Sequence, residues 1–132
     1  MKKILFAFVA LISLAACSAL PKIGGKQATL LNTQWVLSEN NLDASKIPTL
    51  VIEKERVSGN ASCNNYFGQY SLDADTGSFS VTNVGVTRMA CEKMAAETHY
   101  LSMLEKANKY VMKENVLELY KDNLLLLRFR KN

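Results

Sequence analysis

The sequence has few of the residues from which metal sites and catalytic sites are most often built. One histidine, His99, and three cysteines supply all of its imidazole and thiol groups. A zinc site made of Cys63, Cys91 and His99 would need a fourth ligand, and none of the usual close ligand spacings is present. A thiol nucleophile needs a nearby base, and no motif places His99 near Cys63. We therefore predict no metal, no cofactor and no catalytic residue, and a thiol-dependent enzyme is the alternative.

Long apolar runs and long basic runs are also missing. The apolar stretch at residues 4–12 is far shorter than the roughly 20 residues that a membrane-spanning helix needs. No run of lysine and arginine interleaved with aromatic residues comes before the last predicted strand. These absences argue against a membrane-spanning helix and against a nucleic-acid partner.

The N-terminus instead has the pattern of a bacterial lipoprotein signal. The apolar stretch follows Lys2 and Lys3 and ends in a segment that resembles the lipobox, Leu14-Ala15-Ala16-Cys17. We predict that residues 1–16 are a signal peptide and that Cys17 carries lipid. Two or more acyl chains hold a protein firmly to a membrane. An ordinary secretory signal followed by a chance cysteine is the alternative.

The residue after the cleavage site predicts where the mature chain is sorted. Ser18 follows Cys17, and a serine there, rather than an aspartate, resembles the enterobacterial pattern for the outer membrane. We therefore expect the protein on the periplasmic face of the outer membrane. Removal of the signal also takes away Lys2 and Lys3, which lowers the net charge from +4 to about +2.

Cys63 and Cys91 remain once Cys17 is assigned to lipid. An even pair of cysteines in an oxidising compartment favours a disulfide. Two free buried thiols, or one reactive cysteine, are the alternatives. We therefore predict a disulfide between Cys63 and Cys91.

The mature chain divides into a short tether and one domain. Pro21, Gly24 and Gly25, with few apolar neighbours, indicate that residues 17–28 form a lipidated tether. Residues 29–132 have the length of a single domain with a sizeable core.

Most of this domain alternates between apolar and polar residues with period two, the pattern of half-buried strands. We predict strands at residues 33–38, 49–53, 56–61, 65–72, 77–82, 110–113, 116–121 and 124–130. Residues 90–107 break this rhythm and predict the one helix. The expected fold is α+β, with a curved, barrel-like antiparallel sheet of seven or eight strands packed around one α-helix.

The pattern also predicts which side chains face inward. The apolar stripe of the helix is Met94, Leu101, Leu104 and Ala107. Its expected solvent side consists of Glu92, Lys93, Glu97, Glu105 and Lys106. In the last strand we expect Leu125, Leu127 and Phe129 on the inner side, with Arg128 and Arg130 outward. Because residues 124–127 are apolar on both faces, we expect that part of the strand to be covered on both sides.

Several segments together resemble the META domain family, which includes heat-shock lipoproteins of the HslJ type. The matching segments are Thr-Gln-Trp-Val-Leu at 33–37, Arg-Val-Ser-Gly at 56–59, Asn-Ala-Ser-Cys-Asn-Asn-Tyr-Phe-Gly at 60–68, Thr-Arg-Met-Ala-Cys at 87–91, then Glu97, Tyr100 and Leu101, and the closing strands. The resemblance covers residues 31–130. It departs from the family at Ala61-Ser62, where the family often has Ala-Gly.

The resemblance implies a secreted or lipid-anchored protein whose two cysteines are thought to pair. It links the chain to stress, antibiotic tolerance or virulence, and the family has no established enzymatic activity. We therefore expect a non-enzymatic, monomeric envelope protein that binds an unknown envelope protein or small ligand. The alternative is a periplasmic inhibitor of a hydrolase such as lysozyme or a protease.

Two groups of polar residues are candidate binding surfaces. The first flanks the cysteines and consists of Asn64, Asn65, Tyr66 and Arg88. The structural alternative is that the asparagines satisfy turn backbone and that Arg88 pairs with a carboxylate. The second group consists of Arg128, Arg130 and Lys131, which could approach anionic lipid or another acidic partner. A solvated strand edge, where charge discourages aggregation, is the alternative there.

Overall fold

The computed structural model describes residues 25–38, 47–92 and 94–132. Within these ranges the chain forms eight strands and one helix. In chain order they are β1 (Thr33–Leu37), β2 (Thr49–Ile52), β3 (Val57–Asn60), β4 (Asn65–Asp73), β5 (Ser78–Val86), α1 (Met94–Lys106), β6 (Lys109–Lys113), β7 (Val116–Lys121) and β8 (Leu124–Lys131). The predictions for the signal peptide, Cys17, Lys93 and residues 17–24 of the tether lie outside the described residues.

The eight strands form a closed antiparallel barrel in which each strand pairs with its neighbours in the sequence. Pairing of β1 with β8 closes it, with Leu37 opposite Phe129. The join between β5 and β6 is the weakest, with one pair in register, Ser78 opposite Lys109. α1 connects these two strands and packs against β5 and β8. The predicted α+β fold, a barrel-like sheet with one helix, is confirmed.

The core is built from the inward side chains of the alternating strands. Its largest fully buried residues are aromatic or aliphatic: Trp35, Tyr66, Tyr110, Phe79, Phe129, Leu30, Leu50 and Ile52. Tyr100 of α1 joins them, edge-on to Tyr66 with ring centroids 5.7 Å apart and to Phe129 at 6.4 Å. Such aromatic pairs add to the burial of apolar area. These contacts fix the helix against the barrel.

The structure corrects two predictions about the helix. It begins at Met94 rather than at residue 90, and Met94 is exposed instead of lying in the apolar stripe. Glu97, expected on the solvent side, is only 4% exposed. Glu97, Tyr100 and Leu104 are the buried residues of α1, at the i, i+3, i+7 spacing of one helix face. The buried face of α1 is therefore rotated relative to the predicted one.

The last strand also differs from the prediction. Leu124 is 66% exposed and Leu125 is exposed as well, so residues 124–127 are not covered on both sides. A β-bulge shifts the register, so that Leu119 faces Leu127 while Tyr120 faces Leu125. The extra residue in β8 breaks the alternation and removes Leu125 from the inner face. Leu127 and Phe129 are buried as predicted.

Residues 25–28, which we expected in the tether, are bound to the barrel. Gly25 N donates to Thr76 O at 2.9 Å, and Gln27 Oε1 accepts from Met112 N at 3.0 Å. Ala28 O accepts from the Tyr110 hydroxyl at 2.9 Å. These hydrogen bonds attach residues 25–28 to the barrel.

The two ends of the barrel carry different features. We call the end where the chain enters the tether end, formed by residues 25–32 and the hairpins at residues 73–78 and 113–116. The opposite end, which we call the disulfide end, holds the loops at residues 61–64 and 87–92 and the start of α1. The candidate site residues that flank the cysteines all lie at the disulfide end.

Candidate functional site

A disulfide joins two loops of the disulfide end. Cys63, between β3 and β4, is bonded to Cys91, between β5 and α1, with Cα atoms 6.2 Å apart. The bond closes a loop with a sequence separation of 28 residues. A thiol nucleophile at Cys63, or a zinc site that uses both sulfurs, would require this bond to be broken.

Asn64 holds the same two loops together from inside. Its side chain is only 1% exposed, and its Oδ1 accepts from Met89 N at 2.7 Å and from Thr87 Oγ1 at 3.1 Å. Its backbone N donates to Glu97 Oε2 at 2.8 Å, and its Nδ2 donates to Glu97 Oε1 at 3.2 Å. A buried carboxylate is tolerated when both oxygens are hydrogen-bonded, and the first turn of a helix favours negative charge. The structural alternative considered for Asn64, hydrogen bonding to the turn backbone, is the one observed.

Glu97 is the functional residue that periodicity missed. Its partner Asn64 is 33 positions away, so no local sequence pattern predicts the contact. The spacing of Glu97 to Tyr100 and Leu104 was the available signal, because it places the carboxylate on the face that the helix buries. The resemblance to the META domain family also included Glu97 among its matching residues.

Tyr66 is likewise inside the barrel. Its hydroxyl donates to Thr49 O at 2.8 Å and lies 2.9 Å from the Tyr100 hydroxyl. Burial raises the pKa of Tyr66 well above the usual range of tyrosine, so the phenol stays protonated. Asn64 and Tyr66 therefore cannot be part of an exposed binding surface, which corrects half of the predicted group.

Asn65 and Arg88, the other half of that group, are exposed. Asn65 Oδ1 accepts from Asn60 Nδ2 at 3.1 Å, and its backbone N donates to Thr87 Oγ1 at 3.1 Å. Among the described residues Arg88 makes no salt bridge, so the proposed pairing with a carboxylate is not observed there. Both side chains point to solvent beside the disulfide.

Exposed apolar side chains also lie at the disulfide end. Phe67 is 56% exposed and Met89 57% exposed. The Phe67 ring lies over Gly85, where an added Cβ would come within 2.6 Å of it. We define the disulfide-end surface as Asn65, Phe67, Val86, Arg88, Met89 and Met94. The alternation that buries Tyr66 would have identified Phe67 as outward-facing.

Ser62 adopts a backbone conformation that is unfavourable for serine. Its φ is 89°, in the region that favours glycine. Its buried Oγ has no hydrogen-bond partner among the described residues. A cavity of about 70 Å3 next to it is lined by Leu37, Pro48, Ser62, Ala96, His99, Tyr100 and Met103. This is the position at which the sequence departs from the family pattern, and the positive φ explains why glycine suits it.

No group of three or more histidine, cysteine, aspartate or glutamate side chains that could hold a metal occurs in the described ranges. In the part of the chain described here, the helix α1 is not long and apolar enough to cross a membrane.

Comparisons with known proteins agree with this architecture. A solved NMR structure of a protein from Burkholderia xenovorans is similar, with a TM-score of 0.65 and 28% identity over 78% of this chain and 83% of that one. A second NMR structure shares the fold, with a TM-score of 0.59 and 20% identity over 75% of this chain and 88% of that one. No significant match was found among curated protein sequences.

Two family models match the sequence and together cover most of it. The model of the prokaryotic membrane lipoprotein lipid attachment site matches residues 1–18, a range that includes Cys17. The META domain model matches residues 28–132, which is nearly the whole barrel. The chain therefore belongs to the META domain family and is a lipid-anchored protein of the cell envelope.

Proposed function

We propose that this chain is a non-catalytic binding protein that is attached to the membrane through lipid on Cys17 and binds another envelope protein at the disulfide-end surface. Its expected place is the periplasmic face of the outer membrane, and its expected role is tolerance of envelope stress or antibiotics. The observation that carries the proposal is the exposure of four apolar side chains at the disulfide end, those of Phe67, Val86, Met89 and Met94. Exposed apolar patches of this kind on soluble domains commonly mark protein–protein contacts.

The loops behind this surface are suited to binding because they are rigid. The disulfide fixes Cys63 to Cys91, and Asn64 ties Met89 to Glu97 of α1. A surface that is ordered before it binds loses less conformational entropy on association. The cysteines and the Glu97 carboxylate, which a catalytic site could use, are taken up by these internal bonds, which supports binding over catalysis.

The composition of the surface indicates the chemistry of the partner. Methionine adapts its shape to an apolar counterpart, and arginine is enriched at the centres of interfaces. Arg88 precedes the exposed Met89 in the same loop, so a partner with an apolar patch and one carboxylate would complement the two side chains. The proposed partner is therefore a folded envelope protein with that patch rather than a nucleic acid or a metal ion.

Site-specific photo-crosslinking in cells tests this assignment. A photoreactive amino acid at Phe67 should capture a discrete partner, whereas the same amino acid at Ser71 should not. Ser71 is the matched control because it lies on the same strand and is also exposed, but nearer the tether end. Equal products at both positions, or none at Phe67, would contradict the proposal.

The captured protein must then bind the purified chain directly. We expect Arg88→Glu to weaken that binding at least tenfold, because charge reversal opposes the partner's carboxylate. If the partner is a hydrolase and loses activity on binding, the chain is an inhibitor, which is the alternative function. If its activity is unchanged, the chain acts by holding or stabilising its partner.

A further inference from the structure

Three neighbouring strands present a mixed basic and apolar surface on the outside of the barrel. It is formed by side chains that alternate with the buried core residues of β6, β7 and β8. This β6–β8 face consists of Val111, Lys113, Val116, Glu118, Arg128 and Arg130. Cross-strand register places Lys113 and Arg130 on either side of Val116. An open groove of about 740 Å3 lies on this face, beside Glu114.

The carboxylate of Glu118 is already neutralised within the face. Its Oε1 accepts from Arg128 Nη2 at 2.7 Å, and its Oε2 accepts from the Tyr120 hydroxyl at 2.7 Å. Burial alone would raise the pKa of Glu118, but these hydrogen bonds and the charges of Arg128 and Lys113 outweigh it and lower the pKa. Glu118 and Arg128 therefore form an ion pair at neutral pH and contribute no net charge.

Lys113 and Arg130 supply the excess positive charge of the face. Neither makes a salt bridge within the described ranges, and the carboxylate of Glu114 on the groove's rim is a single charge against two. Val116 lies exposed between them. A row of cation, apolar side chain and cation suits an interface that is itself anionic outside and apolar beneath.

The strand-edge explanation for these arginines does not hold. Charge on an edge strand prevents pairing with a second sheet. β8 is not an edge, because it pairs with β7 along one side and with β1 along the other. Arg130 therefore lies on the outer face of a strand that is paired on both sides.

The point where the chain enters the barrel brings this face close to the membrane. Gln27 is bonded to Met112 in β6, so the chain arrives alongside the strand that carries Lys113. Only residues 18–24 separate Cys17 from Gly25. A chain spans at most about 3.5 Å per residue, so the entry point lies within roughly 28 Å of the lipidated residue.

We propose that the β6–β8 face docks on the anionic phospholipid headgroups of the membrane to which the chain is anchored. Lys113 and Arg130 contact phosphate groups, while Val116 lies against the acyl boundary between them. Basic side chains near an anionic bilayer each add binding free energy, and the attraction acts only within about 8 Å at physiological salt. The link to Cys17, at most about 28 Å long, lets the face reach that range, and docking then fixes the orientation of the barrel.

Vesicle binding by the complete mature chain with Cys17→Ser tests docking without the anchor. We expect it to sediment with vesicles of phosphatidylcholine and phosphatidylglycerol but not with phosphatidylcholine alone. The double variant Lys113→Gln/Arg130→Gln should bind about 25-fold more weakly, since each basic residue near the surface contributes about fivefold. Equal binding to both kinds of vesicle would overturn the proposal.

The control is Lys106→Gln/Lys121→Gln, which removes two positive charges from exposed residues outside the face, although Lys121 Nζ lies 3.8 Å from a carboxylate oxygen of Asp122. We expect it to bind within about twofold of the parent chain, because those charges lie beyond the screening distance. An equal loss in both variants would mean that only net charge matters, and competition by inorganic phosphate at constant ionic strength would indicate a free-anion site. Either result overturns docking by this face.

The fold of the variants must be checked as well. Circular dichroism and thermal unfolding confirm that both double variants keep the fold. The inference rests on the lipid anchor and is independent of the partner at the disulfide-end surface, so loss of vesicle binding and loss of the Phe67 cross-link are separate outcomes.

Discussion

The two ends of the barrel are closed by different kinds of interaction. At the disulfide end a covalent bond between Cys63 and Cys91 and a buried polar pair, Asn64 with Glu97, connect the loops. At the tether end the incoming chain itself closes the barrel, with Leu30 fully buried and Gln27 bonded to β6. The comparison suggests that one end is built to present a rigid surface and the other to connect the body to its anchor.

The largest effect is expected at the tether end. Leu30→Ala should lower the free energy of unfolding by about 4 kcal/mol, because it removes a fully buried side chain and leaves a cavity. Leu31→Ala is the matched control, since the neighbouring leucine is exposed and should change stability by less than about 0.5 kcal/mol. Urea unfolding measures both. Similar values for the two variants would show that Leu30 does not close the barrel.

Reduction of the disulfide should have the next largest effect and lower the free energy of unfolding by about 3 kcal/mol. The estimate follows from the chain-entropy model for a loop of this separation, less any strain in the native state. Hydrogen exchange before and after reduction sharpens the comparison between the ends. The amide protons of Asn64 and Met89 should exchange faster, while that of Met112 at the tether end should change only by the global loss of stability. Equally faster hydrogen exchange at both ends would indicate that the disulfide stabilises the whole fold and not the disulfide end in particular.

Glu97→Gln tests the buried polar pair of the disulfide end and should lower the free energy of unfolding by about 2 kcal/mol. An amide has one acceptor oxygen for the two donors of Asn64, so one buried donor loses its partner and the other loses a charged acceptor. Glu105→Gln, on the same helix but exposed, should be nearly neutral. Thermal unfolding of the two variants side by side gives the difference. A neutral Glu97→Gln would mean that the carboxylate is not needed to hold the loops.

Most strands could be predicted because their signal is local. The alternation along β4 and β7 depends only on neighbouring residues, and the predicted and observed bounds of β7 are identical. The closure of the barrel and the bulge opposite Leu119 depend on pairings between distant strands, which no single-sequence pattern reports. The pattern therefore indicated a barrel-like sheet but not which part of β8 would face solvent.

The four residues predicted to flank the cysteines divide into an exposed and a buried pair. Asn65 and Arg88 are exposed at the disulfide end. Asn64 and Tyr66 were assigned to the same surface because polar and aromatic residues suit recognition, although burial decides their role. Their burial depends on Glu97 and Tyr100, both more than 30 residues later in the chain. Which of these residues are buried and which are exposed therefore required the packed structure.

Ser62 departs from the family pattern and also has an unfavourable backbone conformation. Ser62→Gly should raise the free energy of unfolding by about 1 kcal/mol, because glycine adopts a φ of 89° without a Cβ clash and removes the buried, unpartnered Oγ. Ser58→Gly, in β3, is the opposing control and should lower stability by up to about 1 kcal/mol, since glycine weakens a strand. Urea unfolding should therefore give shifts of opposite sign. If both variants are less stable than the parent chain, the positive φ at Ser62 does not destabilise the disulfide end.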